Sequence, residues 1–254
     1  MGNKNDYIGV FDSGVGGISV LRQLKKLLPG ERFLYYGDSA NAPYGSRDTG
    51  KVRELTLTAV EKMMESGLKA LVVACNTATS AAIHTLREKY PDLIVIGIEP
   101  ALKPAVDHFP AGRIGVMATN VTLREEKFSA LIEKYGAKAE IIKIPAPGLV
   151  ELVESGKTDD LETSAFLTNL LAPYVDKLDA LVLGCTHFPL VSDAISRILG
   201  ENVELLDGGE GTARETKRRL AEAELFCDES CEILWQNSAE NEEIIALCKA
   251  LLEQ

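Results

Sequence analysis

Two cysteines in similar surroundings are the residues of this chain whose types and spacing point to chemistry. Cys75 ends the apolar run ALVVAC, and Cys185 ends the run ALVLGC 110 residues later. Polar side chains follow both cysteines, namely Asn76, Thr77, Thr186 and His187. In parallel α/β sheets ligands bind at the carboxyl ends of strands, and the start of a helix there favours the thiolate form of a cysteine. The pattern predicts two reactive thiols rather than two inert, buried ones.

The separation of the two cysteines along the chain restricts the chemistry they could share. A redox pair usually occupies one short C-x-x-C motif. A cysteine phosphatase loop needs an arginine six residues after its nucleophile, where this chain has Ala81 and Val191. A Cys–His nucleophile would need one cysteine rather than two. Removing a proton from one face of a carbon and returning one to the other face needs two like bases, so the residues favour racemisation.

Two turn-rich motifs follow the first two predicted strands. FDSGVGG, residues 11–17, has neither the spacing of a dinucleotide fingerprint nor that of a P-loop. Its glycines predict a tight turn whose backbone N–H groups could face an anion. Asp12 in this motif could orient a nearby thiol or ammonium, or accept a proton from it. NAPYGSR, residues 41–47, predicts a loop that could line the same site.

Short, nearly all-apolar runs alternate with helical patterns along the chain, which is typical of parallel strands buried on both faces. The predicted strands are residues 8–12, 32–36, 70–75, 93–98, 114–118, 139–144, 180–185 and 203–206, followed by a last strand at CEILW. Thr212 and Glu215 have the spacing of a capping box, which marks the start of a helix. The alternation predicts an α/β fold with parallel sheets.

Two pairs of similar segments indicate two copies of one α/β unit. LKALVVACNT at residues 68–77 aligns with LDALVLGCTH at residues 178–187, and IGVFDS at residues 8–13 aligns with IGVMAT at residues 114–119. The offsets of 110 and 106 residues are nearly constant, as duplication predicts. Buried strands resemble one another by composition, but composition does not place a cysteine at the end of both copies.

The composition disfavours several classes of protein. The 254 residues are 46% hydrophobic, which can support a substantial core. The net charge of −11 disfavours nucleic acid as a partner, and a cationic helix on a membrane surface. No apolar run has the length of a signal peptide or transmembrane helix, so we expect a soluble, cytoplasmic protein.

The five cysteines are scattered and odd in number, so they do not form a disulfide framework. Cys227 and Cys231 form a C-x3-C pair, but zinc would need two more ligands at a suitable spacing. None of the three histidines is nearby in sequence. We therefore expect no metal site, and we expect Cys227, Cys231 and Cys248 to be structural or surface cysteines.

Five segments together resemble the bacterial glutamate racemases, a family within the cofactor-independent aspartate/glutamate racemase superfamily. They are IGVFDSGVGG, YYGDSANAPYG, LVVACNTAT, LVLGCTHFPL and GTARE, in a stretch from Ile8 to about Arg219. The resemblance implies interconversion of L- and D-glutamate to supply D-glutamate for peptidoglycan, with no pyridoxal phosphate and no metal. It also implies a homodimer. Asn41 and Gly211 depart from the family, which often has a basic and an acidic residue there.

The same resemblance implies roles for individual residues. Cys75 and Cys185 are the two catalytic bases, and Asp12 and His187 are the partners that assist them. The implied substrate contacts are Asp12, Ser13, Tyr44, Gly45, Asn76, Thr77, Thr186 and His187. Glu154, in the stretch LVELVESG, is assigned by its position to the catalytic surroundings.

We therefore expect two similar α/β domains with mostly parallel sheets, related by a pseudo-two-fold axis, with the active site in the cleft between them. The first domain is expected to comprise residues 1–98 and 208–254, and the second residues 99–207. Two other functions stay open, which are an aspartate or related two-cysteine racemase and a two-lobed amino-acid-binding protein without catalysis. A binding protein would leave the Cα proton unexchanged in solvent deuterium, whereas a racemase would exchange it.

Overall fold

The structure is a computed structural model that describes residues 3–124, 126–227 and 232–254. The chain divides into two compact units. Unit 1 comprises Met1–Glu99 and Gly209–Gln254, and unit 2 comprises Pro100–Gly208.

Strands and helices alternate along most of both units. The strands are β1 (Tyr7–Asp12), β2 (Phe33–Gly37), β3 (Leu68–Val73), β4 (Ile94–Gly97), β5 (Arg113–Ala118), β6 (Glu140–Pro145), β7 (Ala180–Leu183), β8 (Glu204–Asp207) and β9 (Ile233–Asn237). The α-helices are α1 (Ile18–Leu27), α2 (Thr49–Met64), α3 (Asn76–Lys89), α4 (Leu102–His108), α5 (Asn120–Arg124), α6 (Glu126–Tyr135), α7 (Leu149–Glu154), α8 (Leu161–Leu171), α9 (Ser192–Leu199), α10 (Gly209–Glu222) and α11 (Glu242–Glu253). The predicted α/β class is confirmed.

The two sheets share one strand order and are entirely parallel. The sheet of unit 1 has the order β4-β3-β1-β2-β9, and the sheet of unit 2 has the order β8-β7-β5-β6. When β1 to β4 are matched to β5 to β8 in chain order, the two orders coincide. Strand β9, which the chain adds after α10, extends the sheet of unit 1 next to β2. It is the one described strand outside this match.

The register of the central strands also matches between the units. Ile8 pairs with Ala70 in unit 1, and Ile114 pairs with Ala180 in unit 2. These are the positions that the offsets of 106 and 110 residues make equivalent. Because a one-residue slip would move every side chain to the opposite face of a sheet, the shared register supports two copies of one unit.

Both cysteines lie two residues beyond the strands that were expected to contain them. β3 ends at Val73 and β7 ends at Leu183. The next residue in each case, Ala74 or Gly184, still donates its N–H to the central strand at 2.8 Å. The chain then leaves the ladder, so the cysteines occupy the turns at the carboxyl ends of the strands rather than the strands themselves.

The predicted start of the helix near Thr212 is wrong. α10 begins at Gly209, directly after β8, so Thr212 lies inside the helix. There its backbone carbonyl accepts the Thr216 hydroxyl at 2.8 Å. Glu215 pairs with Arg218 on the helix surface at 2.6 Å instead of closing a capping box.

Helices bury the apolar faces of both sheets. In unit 1, α2 and α3 pack over a cluster that includes Phe11, Leu71 and Val73, and α1 packs beside α10. In unit 2, α4 and α6 cover a cluster that includes Val116 and Val182. The buried strands are nearly all apolar for this reason, and their polar residues collect at the strand ends.

Three features of the described residues bear on the expectations about membranes and cysteines. Cys231 lies outside these residues, whereas Cys227 and Cys248 are buried and form no disulfide within them. No described helix combines the length and apolar character needed to cross a membrane. Within the same residues, no three His, Cys, Asp or Glu side chains are grouped as a metal site would require.

Candidate active site

Cys75 caps the first turn of α3 in unit 1. Its backbone is extended, with φ −68° and ψ 121°, and its sulfur accepts the N–H of Ala78 at 3.4 Å. The same sulfur lies 3.5 Å from the Ser13 Oγ. The residue is 5% exposed. The N–H groups of the first turn and the positive end of a 14-residue helix therefore surround a nearly buried sulfur.

The motif FDSGVGG forms a tight turn beside this cysteine. The buried Asp12 closes the turn by accepting the Gly14 N–H at 3.0 Å. The Tyr35 hydroxyl donates to the Gly14 carbonyl at 2.7 Å. A Cβ at Gly17 would lie 2.5 Å from the Asp12 Cβ, so only glycine fits at this position. The turn thus holds the Asp12 side chain against the start of α1.

Residues 38–46 form a loop after β2, which we call the substrate loop because the resemblance implies substrate contacts for its residues Tyr44 and Gly45. The Tyr44 hydroxyl donates to the Asp38 carboxylate at 2.5 Å, and the Asn41 amide donates to the same carboxylate at 3.0 Å. Burial and the hydrogen bond to Asp38 raise the pKa of Tyr44 far above its ordinary value, with smaller contributions from Cys75 and Asp12. The phenol therefore stays protonated and keeps its hydrogen bond to Asp38.

Cys185 in unit 2 has different neighbours. Its sulfur lies 3.6 Å from Nδ1 of His187, and Nε2 of His187 lies 2.5 Å from the Glu154 carboxylate on α7. His187 is 1% exposed. A short 3₁₀ helix, Phe188–Val191, follows it. The three side chains form a chain of contacts from carboxylate through imidazole to sulfur.

The ionisation of His187 follows from these contacts. Burial opposes the charged form, but the contacts with Cys185 and Glu154 outweigh burial and raise the pKa of His187 well above its ordinary value. These contacts favour the protonated form of the imidazole. It can then donate one hydrogen bond to Glu154 and one to the sulfur.

The two sites are equivalent in the backbone but not in their side chains. The matched positions are Asp12 and Ala118, Ser13 and Thr119, Asn76 and Thr186, and Thr77 and His187. Unit 1 thus has a carboxylate on the central strand and no histidine after its cysteine. Unit 2 has the histidine and an alanine in place of the carboxylate.

The structure groups the predicted site residues by unit. Asp12, Ser13, Tyr44, Gly45, Cys75, Asn76 and Thr77 lie at the carboxyl edge of the first sheet or in the substrate loop, and Glu154, Cys185, Thr186 and His187 lie at the corresponding edge of the second. Asn76, Thr77 and Thr186 are buried, and Gly45 is half-buried. Asn76 Oδ1 is buried and makes no hydrogen bond within the described part of the chain. Such an atom is costly unless a ligand supplies a donor.

Asp38 is the site residue that the sequence argument did not single out. It lies in the segment YYGDSANAPYG, but nothing in that pattern shows that the carboxylate would reach Tyr44 six residues later. The grouping in each unit is one thiol with polar neighbours that can accept or donate protons. Such a set can remove or deliver a proton at a carbon atom.

Comparison with known proteins agrees with this chemistry. The model of the Asp/Glu/Hydantoin racemase family matches residues 8–216. A glutamate racemase of Clostridium acetobutylicum is 50% identical over 256 residues, covering 100% of both chains. One of Clostridium perfringens (strain SM101 / Type A) is 49% identical, covering 98% of this chain and 97% of that protein. The crystal structure of glutamate racemase isoform RacE1 from Bacillus anthracis superposes with a TM-score of 0.88 at 30% identity, covering 99% of this chain and 96% of that one.

Proposed function

The chain belongs to the Asp/Glu/hydantoin racemase family, and from that premise we propose that it is a glutamate racemase, which interconverts L- and D-glutamate. Relatives with that activity are about half identical to it over nearly their whole length. The observation that carries the proposal is the pair of cysteines at equivalent turns of two matched sheets, each sulfur touching polar groups of its own unit.

In this proposal the two thiols act as bases on opposite faces of the substrate Cα. One thiolate removes the proton from Cα of one enantiomer, and the electron pair of the broken C–H bond stays on the substrate as a carbanion. The other thiol then gives its proton to the opposite face of the same carbon. Because an ordinary thiol has a pKa of ~8.5 and is a weak base for a carbon proton, the site must stabilise the carbanion with fixed donors.

Each thiol has neighbours that can stabilise negative charge on its sulfur or take up its proton. The helix terminus and the Ala78 N–H offset negative charge on Cys75, and the Asp12 carboxylate is the nearby group able to take up a proton. For Cys185, the imidazolium of His187 donates to the sulfur and is itself held by Glu154. The two sulfurs are therefore supported by different groups, a helix terminus in unit 1 and a histidine in unit 2.

Most of the groups assigned to substrate binding are neutral. Asn76 Oδ1 can accept a hydrogen bond from the substrate ammonium, which would satisfy this buried atom. Ser13, Thr77 and Thr186 supply hydroxyls, and the backbone around Gly45 supplies N–H groups for the two carboxylates. Neutral donors can hold the carboxylates without forming ion pairs that over-stabilise the ground state.

The proposal also covers the cofactors, the metabolic role, the oligomeric state and the location of the enzyme. It includes catalysis without pyridoxal phosphate or metal, supply of D-glutamate for peptidoglycan, a homodimer and a cytoplasmic location. Exhaustive chelation should leave activity intact, and a metal that restored lost activity would contradict this part. Analytical ultracentrifugation at enzyme concentrations used in assays should give twice the monomer mass of 27.5 kDa.

Circular dichroism of the purified protein with each pure enantiomer tests the proposal. The signal of L-glutamate and that of D-glutamate should both decay to zero without added cofactor. In deuterated solvent the product should carry deuterium at Cα. A protein that binds glutamate without exchanging the Cα proton would be a binding protein instead.

The same assay with aspartate tests the substrate assignment. Loss of one methylene displaces the distal carboxylate by more than an ångström, and misplacement of that order can cost ~100-fold in rate. Aspartate should therefore be a poor substrate. Equal turnover of both amino acids would indicate a broader racemase.

A further inference from the structure

The carboxyl end of β9 contacts the substrate loop. β9 pairs with β2 in parallel, and Asn237 lies opposite Gly37, the residue just before the loop. Strand β9 comes from the last part of the chain and lies outside the match between the two sheets. Its carboxyl end reaches the residues of the proposed chemistry through this loop.

Three hydrogen bonds join Asn237 and Ser238 to the end of β2 and the start of the loop. The Ser238 N–H donates to the Gly37 carbonyl at 3.0 Å. The Ala40 N–H donates to the Ser238 Oγ at 3.0 Å, and the Asn237 amide donates to the Ser39 Oγ at 3.0 Å. Asn237 is itself fixed, because its Oδ1 accepts the Ala239 N–H at 2.9 Å.

The loop connects these bonds directly to Tyr44. Asp38, which accepts the Tyr44 hydroxyl, precedes Ser39 and donates its own N–H to the Asp12 carbonyl at 2.9 Å. The start of the loop is thus held on one side by β1 and on the other by β9. A shift at Ser39 or Ala40 would move the Asp38 carboxylate and, with it, Tyr44.

We infer that Asn237 and Ser238 are positioning residues for the substrate loop, an inference that rests on the proposed function. Neither residue touches the reacting atoms. A loop that is already held in its binding conformation loses less conformational freedom when substrate binds. The bonds from β9 should therefore lower KM for both enantiomers of glutamate while leaving the proton-transfer step, and so kcat, nearly unchanged.

The variants remove these bonds without altering the strand. Ser238→Ala removes the acceptor of the Ala40 N–H, and Ser39→Ala combined with it also removes the acceptor of the Asn237 amide. Ser238→Thr retains a hydroxyl and should restore wild-type behaviour. Glu232→Gln is the matched control, because it weakens the pairing with Arg32 at the opposite end of β9 and does not touch the loop.

Hydrogen exchange and steady-state kinetics measure the effect. The Ala40 amide should exchange faster in Ser238→Ala and not in Glu232→Gln. KM for L- and D-glutamate should rise about fivefold in the double variant, since the two bonds are partly exposed and fall at the low end of ~0.5–1.5 kcal/mol each. The value of kcat should stay within about twofold.

Two results would overturn the inference. One is an unchanged KM in the double variant despite faster exchange at Ala40. The other is an equal rise of KM in Glu232→Gln, which would indicate a general loss of β9. If the wild-type protein does not racemise glutamate, the proposed function fails, and glutamate titration calorimetry then decides the inference. Fivefold weaker binding by the double variant supports it, whereas equal affinity, or no binding by the wild type, overturns it.

Discussion

The two cysteines hydrogen-bond to different groups although they occupy matched turns. Cys75 contacts Ser13 and a helix N–H, and Cys185 contacts a histidine that pairs with Glu154. A helix terminus offsets charge with dipoles that do not titrate, whereas a histidine gains and loses its proton with pH. The two halves of the reaction should therefore respond differently to substitution and to pH.

Serine substitutions test which enantiomer each thiol deprotonates. Cys75→Ser or Cys185→Ser should each lower racemisation by orders of magnitude, because a serine hydroxyl, unlike a thiol, does not ionise near neutral pH and so supplies no anionic base. In one-way elimination from a substrate with a leaving group at Cβ, each variant should retain activity with one enantiomer only. By resemblance to the family, Cys75 acts on the D-enantiomer and Cys185 on the L-enantiomer. A single variant that racemises at nearly the wild-type rate would disprove the two-base mechanism.

The ionisation of His187 predicts a pH dependence confined to the Cys185 half-reaction. The pKa of His187 is raised in the folded protein, so its contribution is present at low and neutral pH and is lost as pH rises through that pKa. Glu154→Gln removes a contact that favours the imidazolium. The alkaline limit of elimination from the L-enantiomer should then move to lower pH, while the profile for the D-enantiomer should not change. Equal shifts for both enantiomers would contradict the pairing of His187 with Cys185.

At the scale of elements, the carboxyl ends of matched strands collect the polar residues. Each central strand pairs in the same register with the strand that leads to the cysteine, so each cysteine enters its turn at the same place. The element after the turn differs between the units, with a long α-helix after Cys75 and a short 3₁₀ helix after Cys185. Duplication thus supplies equivalent positions, and the next element along the chain sets the local electrostatics.

Gly17 provides an element-scale prediction. Gly17→Ala places a Cβ 2.5 Å from the Asp12 Cβ and 3.1 Å from the Tyr35 hydroxyl, so Asp12 or the start of α1 must shift. Activity should fall at least tenfold, and unit 1 should become less stable. Fluorescence of Trp235, the chain's single tryptophan, reports its unfolding in urea.

Gly211 is the matched control for this prediction. It is exposed in the first turn of α10, and a Cβ there meets nothing within 4 Å. Gly211→Ala should leave activity unchanged and stabilise the protein by roughly 0.5 kcal/mol, because alanine loses less backbone entropy in a helix. Wild-type activity in Gly17→Ala would show that the Asp12 position tolerates displacement.

At the scale of the whole chain, one buried ion pair ties distant segments into unit 1. The Lys69 ammonium lies 2.5 Å from the Glu31 carboxylate, and both side chains are almost completely buried. Lys69 also donates to the carbonyls of Lys4 and Leu225, and Glu31 accepts the Cys227 N–H at 2.9 Å. The returning C-terminal segment is thus joined to the N-terminus and to β3 at one point.

Removing one charge of this pair should lower the free energy of unfolding substantially. Lys69→Met leaves the Glu31 carboxylate buried without a counter-charge, which typically costs ~3–5 kcal/mol. The urea midpoint reported by Trp235 should fall accordingly. Adding Glu31→Gln, which keeps an acceptor for Cys227, should recover much of the loss.

An exposed ion pair provides the control. Lys89 and Glu61 pair on the surface, so Lys89→Met should leave the midpoint nearly unchanged. A similar loss in both lysine variants would show that burial of the pair is not what stabilises the junction.

Local sequence patterns were enough to predict the alternation of strands and helices, the parallel sheets and the two cysteines at repeated positions. Hydrophobic periodicity is a property of neighbouring residues, and a duplicated unit repeats it at a nearly constant offset. The same patterns placed the cysteines inside strands and a helix start at Thr212, because element ends depend on where the hydrogen-bonded ladder stops rather than on residue type.

The partners of the site residues were decided only by tertiary packing. Glu154 reaches His187 across 33 residues, and Asn237 reaches Ser39 across 198. Such contacts depend on how helices and strands from distant parts of the chain are packed, which no local period encodes. For the same reason, the sequence predicted two thiols at equivalent strand ends, whereas the folded structure showed that the sulfur of Cys75 accepts a helix N–H and the sulfur of Cys185 contacts an imidazole whose pKa is raised.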